Sequence, residues 1–95
     1  MEQFEIAHLK IQGVDVIIAF VDSRIERASA QQQHATQAHL QACARSAGLA
    51  GNVVLVWHDG AERMKFFAPQ QQHPFFRSVS YNYLYQLVNR TLSCG

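Results

Sequence analysis

Phe4-Glu5-Ile6-Ala7-His8-Leu9-Lys10-Ile11, then Gln12-Gly13, then Val14-Asp15-Val16-Ile17-Ile18-Ala19-Phe20-Val21 is the stretch on which the fold turns. It reads as two strands joined tightly at Gly13. In the second strand Val14, Val16, Ile18 and Phe20 share one face, while Asp15, Ile17, Ala19 and Val21 share the other. The strand is therefore apolar on both sides except near its start, the pattern of a strand that is central or covered twice.

Outward from this hairpin, Asp22-Ser23-Arg24-Ile25-Glu26 carries a helix start. Ser23 as N-cap puts Glu26 at the third helical position and closes a capping box. The helix is expected to run to about Ala47, stopped by Gly48. On a helical wheel Ile25, Ala28, Ala35, His39, Ala42, Cys43 and Ser46 share one broad stripe of mainly small side chains, which permits close approach of a sheet or another helix. Residues Gly51 to Trp57 and Ala61 to Phe67 make a second hairpin, with Asp59-Gly60 as its tight reversal. Two prolines bracket the polar loop that follows, and Pro74 suits the first turn of a last helix.

Phe75 to Leu92 is read as that helix, because eighteen residues without a turn signal exceed an ordinary strand. Tyr81, Tyr83 and Tyr85 pull the other way, since as a strand they would form a ladder on one face. The helix would put Phe76, Tyr83, Leu84 and Leu87 on one side and leave Tyr81, Tyr85, Val88 and Leu92 on another. The expected fold is α+β in the order ββαββα: a four-stranded, mostly antiparallel sheet with two helices packed on one face, forming a single domain over residues 1–95.

Composition narrows the function classes. Hydrophobic residues make up 48% of the chain and aromatics 11%, which are globular values, while 16% charged is lean. Twelve alanines and eleven glutamines make much of the polarity uncharged amide and much of the apolar count small side chain. A chain this short leaves stability thin, so a partner subunit would help. Eight basic against seven acidic residues give a formal charge of +1 and forecast no polyanionic partner. The acidic opening Met1-Glu2-Gln3-Phe4-Glu5 does not read as a secretory signal, and the longest apolar run, Val16 to Val21, is too short to span a bilayer. Cytoplasmic residence without a membrane partner is the expectation.

No residue set commits the chain to catalysis. His34 and His39 diverge on the predicted helix, Cys43 and Cys94 lie in no CxxC or CxH arrangement, and neither a disulfide scaffold nor a metal site or cofactor is expected. Gly48-Leu49-Ala50-Gly51 lacks the lysine and hydroxyl residue of a phosphate loop. His58-Asp59 with Glu62 is the compact group of acids and imidazole, in which His58 would be general base and Asp59 or Glu62 its orienter. Its nucleophile would be Cys43 or a serine such as Ser80, and nothing in the sequence places either nearby. A small enzyme or metal-binding protein using His58 thus ranks third.

Nucleic-acid binding ranks second, through Arg63, Lys65, Arg77 and Arg90 against phosphate, with aromatic rings for stacking. Association ranks first. A single sheet cannot cover both sides of the aromatic last helix, whose only charged side chains are Arg77 and Arg90. The expectation is a non-enzymatic binding or structural protein that forms a homodimer, or meets another protein, through Tyr81, Tyr85, Val88 and Leu92, with Trp57 as a second anchor.

Overall fold

Gln12 and Gly13 take φ angles of 53° and 80° and turn strand β1 (Glu2–Ile11) back onto β2 (Val14–Phe20), with Ile11 opposite Val14 and Ile6 opposite Ala19. Two successive positive φ values make the tight turn whose twist matches paired strands. The computed structural model describes residues 2–59 and 63–94. After β2 a 3₁₀ turn, Ser23–Arg27, leads into helix α1 (Ala30–Ser46), then β3 (Asn52–Asp59) and β4 (Arg63–Phe67). A short 3₁₀ turn at Gln70–Gln72 leads into α2 (His73–Arg77), α3 (Tyr81–Tyr85) and β5 (Arg90–Cys94).

The class is α+β, with five strands where four were expected, in the order β4-β3-β2-β1-β5. β2 and β3 run parallel, joined over α1, and the other pairs are antiparallel. β2 is central, and Val16, Ile17, Ile18 and Ala19 have no exposed surface. Helices cover both faces rather than one. Ile17, Ala19, Leu55 and Trp57 pack with Leu40 and Ala44 of α1, whereas Val16, Ile18, Val54 and Val56 pack with Phe76 of α2 and Leu84 of α3. The apolar alternation on both sides of β2 and β3 requires this arrangement, since a bare second face would leave half of those side chains in water.

Residues Phe75–Leu92 do not form one helix. Ser78 donates its hydroxyl to the Phe75 carbonyl at 2.7 Å, Ser80 is extended (φ −95°, ψ 159°), and its Oγ accepts the Tyr83 amide at 3.1 Å as the N-cap of α3. Serine side chains thus end one helix and start the next. Asn89 then clamps β1: its side-chain oxygen accepts from the His8 amide, its side-chain nitrogen donates to the His8 carbonyl, both at 3.0 Å, and its own amide donates to the Ile6 carbonyl at 3.1 Å. The chain leaves that clamp as β5, with Phe4 opposite Leu92.

Ser23 does not cap the long helix. Asp22 caps the 3₁₀ turn, accepting from the Arg24 amide at 2.8 Å, and the capping box of α1 is Ser29 with Gln32, both of its bonds at 3.1 Å. Glu26 is engaged elsewhere, as described below. The expected stop at Ala47 and Gly48 agrees with a helix that ends at Ser46. The Asp59-Gly60 reversal falls partly outside the described residues, and Asp59 itself is paired with Arg63 at the end of the ladder.

α1 is rich in glutamine, and two of these amides do the work of a strand. β4 pairs with β3 only from Leu55 onward, which leaves the start of β3 without a neighbour on that side. Gln41 accepts the Val53 amide at 2.8 Å and donates to the Gly51 carbonyl at 2.9 Å, while Gln37 donates to the Val53 carbonyl at 3.0 Å. Gly51, at φ 123°, passes so close to β2 that a Cβ there would lie 2.8 Å from the Asp15 carbonyl oxygen. A side chain cannot be added at that crossing without moving backbone.

Candidate functional site

The α2/α3 face gathers most of the residues picked from the sequence for association. Phe20, the last residue of β2, offers its ring to Tyr81 and Tyr85 edge-on, with centroids 5.6 and 5.4 Å away. One turn apart on α3, those two tyrosines lie parallel at 6.1 Å. Tyr81 also stacks on His58 at 4.9 Å. Tyr85 donates its hydroxyl to the Glu5 carboxylate at 2.8 and 2.9 Å, tying α3 to β1. Burial holds the Tyr81 phenol above its ordinary value, with Glu5 adding to the shift; for Tyr85 the hydrogen bond to Glu5 is the main cause of an upward shift.

The outer surface of this face mixes aromatic with polar side chains, Tyr83 and Tyr85 standing exposed among Arg77, Ser78, Ser80, Asn82 and Gln86. Among the described residues the exposed large hydrophobic side chains are Val14 at 54%, Tyr83 at 51% and Tyr85 at 43%. Tyr83 and Tyr85 belong to α3, whereas Val14, on the same side of the sheet, opens β2 and lies roughly 20 Å along the strand from Phe20, on which Tyr81 and Tyr85 pack. Val88, just beyond α3, is half-buried. Leu92 and Trp57 are corrected: at 2% and 4% exposure both are core residues on the opposite, α1 side. Leu92 is there because β5, not a helix, carries it, and strand alternation turns it inward.

The four basic residues considered for nucleic acid do not converge. Arg63 and Arg77 border one shallow groove of about 340 Å³, with Phe66, Phe76 and Tyr81 in its walls. Lys65 is drawn away into ion pairs with Glu26 at 2.7 Å and Asp59 at 3.8 Å. Arg90 lies on β5, at the other edge of the sheet from β4, about 19 Å across four inter-strand spacings. Glu26 also accepts the Trp57 indole N–H at 2.6 Å. The bonds from Lys65 and Trp57 hold its carboxyl below the ordinary range, and the bond to Glu26 holds Lys65 above its own.

The proposed pairing of His58 with Asp59 is undone by strand geometry. Successive residues of β3 point to opposite faces, so His58 meets Tyr81 on the α3 side while Asp59 meets Lys65 on the other. Glu62 lies outside the described residues. Cys43 is on the α1 side as well, remote from His58 across the sheet.

A different group comes together there. Cys43, near the end of α1, forms a disulfide with Cys94 of β5, their Cα atoms 5.6 Å apart and 51 residues apart in sequence. His39, one helical turn before Cys43, brings Nε2 to 4.0 Å from its Sγ. His39 and Cys43 occupy one stripe of the sequence wheel, and their i, i+4 spacing is the signal that could have drawn attention to them. Cys94 gave none, because its approach depends on β5. Tyr83 was missed as an outward residue because α3 is a separate helix with its own rotation, fixed by burial of Leu84.

Among the described residues no helix is long and apolar enough to cross a membrane. No protein-family model, curated protein or solved structure matches this chain.

Proposed function

We propose that the protein is a non-enzymatic binding or structural protein that pairs with a second copy of itself through the α2/α3 face. The observation that carries this reading is the exposure of two large aromatic side chains, Tyr83 and Tyr85, on the short helix α3. Tyr81, stacked parallel to Tyr85, and the half-buried Val88 belong to the same stretch of chain. An isologous contact puts such a surface against itself, and aromatic residues are enriched at the centre of interfaces. Between Phe75 and Cys94 the charged side chains are Arg77 and Arg90 alone, which favours apolar contact over charge pairing. Cytoplasmic residence belongs to the same reading and implies that Cys43 and Cys94 spend much of their time as thiols.

Light scattering behind a sizing column, at low and high salt, tests the proposal. The expected result is a dimer near twice 10.7 kDa that salt does not dissociate, and that Tyr83→Asp weakens tenfold or more while leaving the circular dichroism unchanged. Tyr83 is the preferred position, since Tyr85 is also bonded to Glu5. A monomer at every concentration would sink the reading.

One observation favours a second reading, a nucleic-acid-binding module: the groove that places Arg63 and Arg77 beside Tyr81. It predicts retention on single-stranded nucleic acid that falls steeply with salt and is lost in an Arg63→Ala, Arg77→Ala variant.

A further inference from the structure

The cysteine pair lies on the opposite side of the sheet from the proposed interface and calls for its own account. Three soft or borderline donors meet there: Sγ of Cys43, Sγ of Cys94 and Nε2 of His39, all within 4.8 Å of one another. They come from two elements, α1 and β5, that only the finished fold brings together. A recess of about 420 Å³ opens over His39 and Cys43, lined further by Ala42, Ser46, Ala47 and Ser93, so these two donors are reachable from solvent while Cys94 is buried. We propose that, once the disulfide is reduced, Cys43, Cys94 and His39 form a three-ligand site for a soft divalent cation, with Zn²⁺ as the fitting example, so that disulfide and metal exclude each other.

The chemistry is balanced. A dithiol reductant delivers two electrons and two protons, leaving as its own disulfide and yielding the Cys43 and Cys94 thiols. Binding the cation then releases both thiol protons to solvent, and the two thiolates and the neutral imidazole become ligands. Zinc takes sulfur at about 2.3 Å and nitrogen at about 2.0–2.1 Å in a tetrahedral shell, which sets its donors roughly 3.5–3.8 Å apart. The three atoms need only small rearrangements for that: the sulfurs separate once the bond between them is gone, and His39, exposed on α1, swings inward. The recess leaves the fourth position to water.

Two features favour a cation over free thiol chemistry. Cys43 is in the last turn of α1, where the helix dipole is negative, which disfavours a bare thiolate and favours a positive ion. Cys94 is 3% exposed, where an uncompensated thiolate would be costly and a metal-bound one is neutralised.

The test titrates Co²⁺ and Zn²⁺ into the full chain, either reduced and freed of reductant without air, or oxidised. The expected result for the reduced protein is one equivalent of Co²⁺ with thiolate-to-metal absorption in the near ultraviolet and strong tetrahedral bands in the visible. Zn²⁺ should displace it, and a thiol-oxidising reagent should then release that zinc. The oxidised protein should show no thiolate band. His39→Ala should weaken binding tenfold or more and Cys43→Ser should remove the thiolate band; both positions lie on α1 and leave the sheet intact. Absence of the band in reduced protein would overturn the proposal, as would a band and affinity unchanged in His39→Ala. Should Cys94→Ser fail to fold, the other two variants decide.

Discussion

Glu26 shows at the scale of one residue how a local signal is overruled. Its spacing from Ser23 suits a capping box, yet its carboxylate lies between the Trp57 indole and the Lys65 ammonium, one oxygen to each. Two charge-assisted bonds outcompete a single bond to a backbone amide at a helix end. Because the folded carboxyl titrates below its unfolded value, its contribution is complete above the unfolded pKa and fades as pH falls through the folded one. Lys65 is raised, so its side of the pair persists until pH climbs past the ordinary lysine range. Thermal unfolding of the wild type and Glu26→Gln should therefore differ by a constant, small interval between roughly pH 5 and pH 10. That interval should close only as pH falls through the lowered pKa of the folded carboxyl, and it should shrink in high salt, since the Glu26 and Lys65 side chains are 39% and 45% exposed. Glu26→Ala should fall further than Glu26→Gln, because the buried Trp57 then loses its acceptor as well.

Among the elements, α1 is defined as much by its polar contacts as by its apolar ones, since only Leu40 and Ala44 are fully buried along it. Gln41 completes the edge of β3 at Val53, a residue 1% exposed. Gln41→Ala should cost about 1–3 kcal/mol in urea unfolding, the penalty of a buried backbone amide left without a partner. Ser29→Ala should cost about 1 kcal/mol, whereas Ser23→Ala should stay within about 0.5 kcal/mol. Those two serines explain what could be read in advance. Ser23-x-x-Glu26 and Ser29-x-x-Gln32 are equivalent as text, and only the tertiary partners of Glu26 decide between them. The first hairpin and the central place of β2 were legible because alternation and a glycine turn are local properties. The break at Ser78 and Ser80 was not, because serine's bonds to backbone compete with a helix without disturbing its apolar period. β5 was hidden more deeply, its partner being β1 and its anchor an Asn89 clamp on His8, 81 residues away. The tyrosine surplus pointed to the α3 face, but which ring faces outward depends on the rotation of a five-residue helix.

The whole molecule is closed by a contact between its remote parts: β5 completes the sheet beside β1, and Cys94 fixes β5 to α1. A cross-link over 51 residues restricts the unfolded chain substantially. Reduction, with chelator present to keep metal away, should lower stability by about 2–4 kcal/mol, read as a drop in the urea midpoint with a steeper slope, since the unfolded chain freed of its cross-link exposes more surface. Cys43→Ser should lie near the reduced wild type and ignore reductant. The order of the strands also has a consequence for the nascent chain. On the ribosome β1 is made well before the strand that covers its outer side, and throughout that interval its amide and carbonyl groups stand as an open template for any passing chain. Synthesis halted before Arg90 would leave that template permanently bare, so truncated products should aggregate or be captured by chaperones.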